Sequence, residues 1–311
     1  MDMSAPRALS MDGGGIRGII TATWLERLEE QLGGPAANHF DVVAGTSAGS
    51  LSALGVASGF SGAELRNLFE VRGRDIFPGF FVRTWDRFVR IPVHGLSAPK
   101  YSGRRIEKVL KDCFGDRRLG DALVRTLIPV YSMTEARALV LDSDDPLHAD
   151  VPMWQAARAS TAAPSYFPGT QIMAEGKYHV VMDGGIAINN PAIAASSLLK
   201  KESGCNWEEV TVVSLGTGEP PTIAGLQEVQ EYGLLQWGTK LLKLMLEGPN
   251  DHVDYVCRKL HGDNYHRVQV KVSFERYAID DASLENISYL IKAAKTEFDQ
   301  VDRVAQALAR L

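Results

Sequence analysis

The chain has 311 residues, a length that one large α/β domain can fill. Hydrophobic residues make up 45% and charged residues 23%, a globular balance that excludes bulk disorder, and a formal net charge of −5 leaves no global basic field for a nucleic-acid polymer. Cys113, Cys205 and Cys257 are scattered and show no CxxC spacing, which predicts reduced thiols and neither a disulfide framework nor a zinc site. The stretch MDMSAPRALSMDGGG lacks a basic region followed by an apolar one, so no secretory signal is expected. No run approaches the ~18 consecutive apolar residues of a spanning helix, so any membrane contact is expected to be peripheral.

Arg7–Met11 is a short run ending at glycines and predicts a buried strand. From Gly18 to Leu32, apolar residues at Ile20, Trp24 and Leu28, flanked by Ile19, Leu25 and Leu32, form a 3.6-residue stripe and predict a core-facing helix. Gly33-Gly34-Pro35 stops it. Phe40–Ala44 predicts the next strand, Gly45–Gly49 a tight turn and Ser50–Ser58 a small-residue helix, the opening of a mostly parallel sheet. Ser61-Gly62-Ala63-Glu64 is a capping box for a helix through about Arg72. Ser102–Phe114 predicts a helix closed by Gly115. Arg125–Met133 and Ala138–Leu141 predict strands, with Pro129 placing the first at an edge or a strand start. Tyr178–Met182 and Val210–Leu215 are β-branched and end in glycine-rich turns, as strands do. The last ~80 residues read as helix-rich apart from a strand at Arg267–Phe274. Neither repeats nor a linker divide the chain, which predicts one domain.

Gly45-Thr46-Ser47-Ala48-Gly49 is a G-x-S-x-G between a strand and a helix, the setting of a nucleophile elbow. Gly45 and Gly49 allow the sharp turn, and the helix N-terminus favours a developing anion. Asp12-Gly13-Gly14-Gly15-Ile16-Arg17-Gly18 likewise follows a strand and opens a helix. As G-x-G-x-x-G it could hold a dinucleotide, which wants an acidic residue at the end of the second strand. Asp41 stands at that strand's start, and the serine turn occupies its end. As an oxyanion loop, its bare backbone N–H groups would face a substrate carbonyl. Glycine donors beside a serine make an acyl-transfer site that needs no cofactor. Two kinds of base for the serine remain open on local reasoning, an aspartate and a late histidine. Asp183, ahead of Gly184 and Gly185, emerges at a strand end, while His252, His261 and His266 lie downstream in the order Ser…Asp…His.

Taken together, DGGGIRG (12–18), GTSAGS (45–50), AARASTAAPSYFPG (156–169), DGG (183–185), NNP (189–191) and SLGTGE (214–219) resemble the patatin-like phospholipases. The resemblance covers roughly residues 7–219, the expected catalytic core, and leaves 220–311 as a helix-rich C-terminal part packed on the same domain. It implies a three-layer α/β/α sandwich with a mostly parallel central sheet. It also implies a Ser–Asp dyad without catalytic histidine: Ser47 as nucleophile, Asp183 as base, an oxyanion loop of Gly13, Gly14 and Gly15 with Arg17 beside it, and Ala48 N–H as a further donor. The implied activity is hydrolysis of fatty-acyl esters in phospholipids or lysophospholipids.

Phe77, Phe81, Trp85 and Phe88 fall at i, i+4, i+8 and i+11 with Arg83, Arg87 and Arg90 between them. Such a stretch either packs on the sheet as a cap or, as an interfacial helix, meets the acyl chain or an anionic membrane. Leu235, Leu242 and Leu246 form a second, core-type stripe. The expectation is a cytoplasmic enzyme that associates peripherally with membrane when active. Compact bacterial members of the family can be switched on by a cyclic nucleotide, and the C-terminal part leaves room for such a small-molecule activator. The alternative is a non-catalytic nucleotide- or ligand-binding regulator that uses the glycine loop. Oligomeric state is not legible in the sequence.

Overall fold

β1 (Arg7–Met11), β2 (Val42–Gly45) and β7 (Thr211–Leu215) each alternate between two apolar environments, so each must be covered on both faces. In the computed structural model, Leu9, Met11, Val43, Val213 and Leu215 enter one core, and Ala8, Val42, Ala44 and Val212 enter the other. The structure describes residues 5–78, 99–219, 230–231 and 233–310, with backbone alone at 234–243 and 245–247. The first core is roofed by α1 (Gly18–Leu32), α2 (Ala48–Ala57), α3 (Gly62–Ile76), α4 (Gly103–Phe114) and α5 (Met153–Ser160). The later α8 (Leu284–Lys295) and α9 (Phe298–Leu308) join that side. The second core lies under α6 (Ala192–Ser203) and the C-terminal half of α7 (Leu234–His261), through Ala195, Leu199 and Cys257. The result is the expected central sheet with helices on both faces.

The remaining strands are β3 (Arg125–Ser132), β4 (Arg137–Asp142), β5 (Thr170–Ala174), β6 (Lys177–Asp183) and β8 (Tyr265–Val268). The sheet runs β5-β6-β3-β2-β1-β7-β8, with β4 also on β3. From β3 to β8 the path is parallel, whereas β4, β5 and β6 form an antiparallel wing. β3 is the junction. β4 pairs along it from Leu127 to Ser132, while β2 pairs with Arg125–Leu127 and β6 with Val130–Ser132. With β4 along one edge, β2 and β6 share the other and meet end to end.

Pro129 suggests an edge strand or a strand start, and the structure corrects both, placing it inside β3 with partners on either side. Its carbonyl accepts from Ser160 Oγ at 2.7 Å, and Gly184 backs onto it, so its ring nitrogen also faces the gap between β2 and β6. No ladder bond is due there, and an interior strand tolerates the proline. A second correction concerns Arg267–Phe274. β8 begins earlier, at Tyr265, and ends at Val268. Beyond it the chain follows Glu219 through single bonds, because Gly216–Gly218 leaves the sheet and Gly218 N–H turns to the Gln269 side chain at 2.8 Å. The capping box at Ser61 forms and α3 runs a turn past Arg72 to Ile76.

Candidate active site

The carboxyl ends of β1, β2 and β7 converge on one side of the sheet, where open α/β sheets bind ligands. β2 ends in the elbow. Ser47 holds φ 52° and ψ −120°, a strained backbone for a residue with a side chain. Surrounding bonds hold it there. Ser47 N–H donates to Ser160 Oγ at 2.9 Å, Thr46 N–H to Met11 O at 3.2 Å, and Thr46 Oγ1 to Ile188 O at 2.7 Å. Gly49 must be glycine: a Cβ there would stand 2.2 Å from Met11 O, and one on Gly45 would stand 2.1 Å from Gly49 O. α2 begins at Ala48, so the positive end of its dipole lies beside the serine.

Opposite Ser47, the end of β6 delivers Asp183. Ser47 Oγ donates to Asp183 Oδ2 at 2.8 Å, and Gly185 N–H donates to Oδ1 at 2.8 Å. Asp183 N–H is held by Ala162 O at 3.1 Å, which gives the Ala-Ala-Pro run at 162–164 its place beside the site. Asp183 is buried to 1% exposure, and that burial pushes its carboxyl up to about 7 against the two hydrogen bonds, which pull it down. Of the histidines weighed as bases, His261 is bonded to Trp207 O at 2.8 Å, His252 is exposed on α7, and His266 is half-buried on β8. None lines the cavity above Ser47.

The glycine loop leaves β1 beside Ser47; a Cβ on Gly13 would meet Ser47 Cβ at 3.1 Å. Gly13 N–H is already given to Asn189 O at 3.1 Å. The N–H groups of Gly14, Gly15 and Ala48 meet no acceptor among the described residues. Arg17 is buried, its guanidinium 3.6 Å over the Tyr277 ring and its Nε 3.4 Å from Gly14 O. Gly18 packs under α2 at Ala48. Asp41, the acid a dinucleotide would want, instead caps the start of β1 by accepting Arg7 N–H at 2.7 Å, at the opposite end of the sheet.

A cavity of about 360 Å3 opens over Ser47. Leu51, Phe69, Ile76, Phe77, Ile106 and Phe167 give it apolar lining, and Asn189, Thr217 and Asn250 polar lining. Phe77 packs edge-on to Tyr101 at 5.7 Å and against Phe167 at 5.9 Å. It is thus at once packed and cavity-facing, just past the end of α3. Phe81, Trp85 and Phe88 lie outside the described residues, as do the side chains of Leu235, Leu242 and Leu246.

Sequence reasoning gave no role to Ser160, Arg267, Tyr277 or Asn250. Arg267 forms a buried ion pair with Asp12 at 2.6 Å that ties the loop to β8. In the sequence its charge is one of several polar residues alternating with valines, so nothing marks it out. Ser160 lies in the 156–169 run, where its hydroxyl is one of several.

The patatin-like phospholipase family model matches residues 9–196. "Patatin-like protein 2" of Arabidopsis thaliana is 30% identical over 91% of this chain and 80% of that protein. The "cGAMP-activated phospholipase" of Pseudomonas aeruginosa is 31% identical over 96% of this chain and 87% of that protein. VipD from Legionella pneumophila superposes with a TM-score of 0.52 at 15% identity, covering 97% of this chain and 67% of that one, a likeness in fold alone.

Proposed function

Because the chain belongs to the patatin-like phospholipase family, we propose that it is a serine lipid acyl hydrolase that cleaves fatty-acyl esters of phospholipids or lysophospholipids through a Ser47–Asp183 dyad. The observation that carries the reading is the 2.8 Å bond from Ser47 Oγ to the buried Asp183 carboxyl, whose pKa burial pushes up to about 7. An ordinary aspartate, near pKa 3.9, is a poor base for a serine; a base near the working pH suits proton transfer.

In the proposed reaction Ser47 Oγ attacks the ester carbonyl and Asp183 takes its proton. The oxyanion is met by the N–H groups of Gly14 and Gly15 and, from the residue after the nucleophile, Ala48. Collapse of the tetrahedral species expels the alcohol, which receives the proton from Asp183, and leaves an acyl-serine. Water, deprotonated by Asp183, then releases the fatty acid and restores Ser47. The apolar lining of the cavity suits the acyl chain, and Asn189 and Asn250 suit the polar side of the ester.

Liposome hydrolysis with identification of the products tests the reading. Wild type should release fatty acid, Ser47→Ala none, and Asp183→Asn at most about 1% of the wild-type rate. Retention of most activity by Asp183→Asn would overturn the dyad. Labelling of Ser47 by a fluorophosphonate, absent in Ser47→Ala, separates an enzyme from a ligand-binding regulator. The name of the Pseudomonas relative supports one further arm, in which cGAMP is added: equal rates with and without it would remove activation by that ligand. The proposed setting is cytoplasmic, with peripheral association. No helix among the described residues is long and apolar enough to cross a membrane.

A further inference from the structure

The glycine loop is held peptide by peptide. The Gly13 carbonyl accepts from Thr217 Oγ1 at 2.9 Å and lies 3.5 Å from Asn189 Nδ2. The Gly14 carbonyl accepts from Arg17 N–H at 3.2 Å and lies 3.4 Å from Arg17 Nε. The peptides of this loop are trans. In a trans peptide the C=O and the following N–H point in opposite directions. A hydroxyl that anchors the Gly13 carbonyl therefore also aims the Gly14 N–H away from itself, and a hold on the Gly14 carbonyl does the same for Gly15 N–H. Both of those N–H groups belong to residues lining the cavity and meet no acceptor among the described residues.

Thr217 stands apart from the loop it holds. It comes from the turn after β7, the neighbouring strand, and is buried to 3% exposure. It sits so close that a Cβ on Gly14 would come within 2.3 Å of its Oγ1. A glycine at 14 and a hydroxyl at 217 thus form one fitted contact. We infer that Thr217 is a positioning residue for the oxyanion loop: its hydroxyl fixes the plane of the Gly13–Gly14 peptide and so presents the Gly14 N–H to the substrate oxygen. Asn189 assists from the other side, through its backbone carbonyl on Gly13 N–H and its amide toward Gly13 O. This role rests on the hydrolase reading above.

Thr217→Val keeps the shape and removes the hydroxyl. With a soluble p-nitrophenyl ester, kcat and the rate of Ser47 labelling by a fluorophosphonate should fall together by about 10- to 100-fold, with KM within about twofold, as expected when an oxyanion donor is misaligned. Thr217→Ser, which keeps the hydroxyl, should recover most of that loss, a rescue that mere packing would not give. Thermal melts establish that each variant folds; should the valine variant fail, Thr217→Ala also lacks the hydroxyl without adding strain. A kcat within about twofold of wild type in a folded hydroxyl-free variant overturns the role, and so does a serine variant as impaired as the valine one. A wild-type chain that hydrolyses no ester and takes no label overturns the hydrolase reading itself, and the positioning role falls with it.

Discussion

Asp183 joins activity and stability in a single side chain. Burial raises its folded pKa to about 7, above the value near 3.8 of the open chain, so folding favours the protonated form. Its contribution is then fully present below about pH 4 and is lost as pH rises through 7, by up to about 4 kcal/mol. Asp183→Asn lacks that dependence. The melting temperature of the asparagine variant should therefore rise relative to wild type by several degrees between pH 5 and pH 8, measured by thermal scanning; a gap that narrows with pH would refute the raised pKa. The base works only when ionised, so kcat/KM for a soluble ester should climb with a midpoint near pH 7. The working form is thus the less stable one. Ser47 was legible in the sequence because a sharp turn between strand and helix demands small neighbours within two residues. Asp183 was not legible locally, since an Asp-Gly turn looks the same whether or not a serine stands 2.8 Å away.

Helices with a clean start or stripe were easiest to read: Gly18–Leu32 formed where periodicity placed it, and the helix at Ser61 began at its capping box, though it runs past Arg72 to Ile76. β5 was missed because it is short and shows Gln171 and Met173 to solvent. Pro129 misled because its missing N–H matters only where a partner strand is due. The link between β1 and β8 was equally invisible. Asp12 and Arg267 are almost wholly out of water, and Arg267 also donates to Ser214 Oγ at 2.8 Å. Asp12→Asn strands a buried guanidinium and should lower stability by about 3–5 kcal/mol in urea unfolding. Adding Arg267→Met to that variant should recover part of the loss; a double variant weaker than the single one would argue against an uncompensated charge as the cause.

Across the whole molecule, motifs identified the first two thirds and stopped near Glu219, although the later residues are structurally integral. Trp24 Nε1 on α1 donates to Ala294 O on α8 at 2.8 Å, Arg27 pairs with Asp302 on α9 at 2.8 Å, and Ile279 O receives Ile16 N–H beside the glycine loop. Such contacts join single residues far apart in the chain, and they leave no short signature in a single sequence. The shared edge of β3 has a consequence in time. Ser47 sits between a strand and a helix adjacent in the chain, whereas Ser160, 113 residues away, and Asp183, 136 residues away, reach it only through the tertiary fold, Asp183 when the antiparallel wing docks end to end with β2. Contacts of such separation form late. A refolding chain should therefore regain its helical circular dichroism before Ser47 becomes reactive toward a fluorophosphonate, and simultaneous recovery of the two would contradict this order. The dyad is thereby a clock for the last step of assembly, and a partly folded chain carries its nucleophile without the means to fire it.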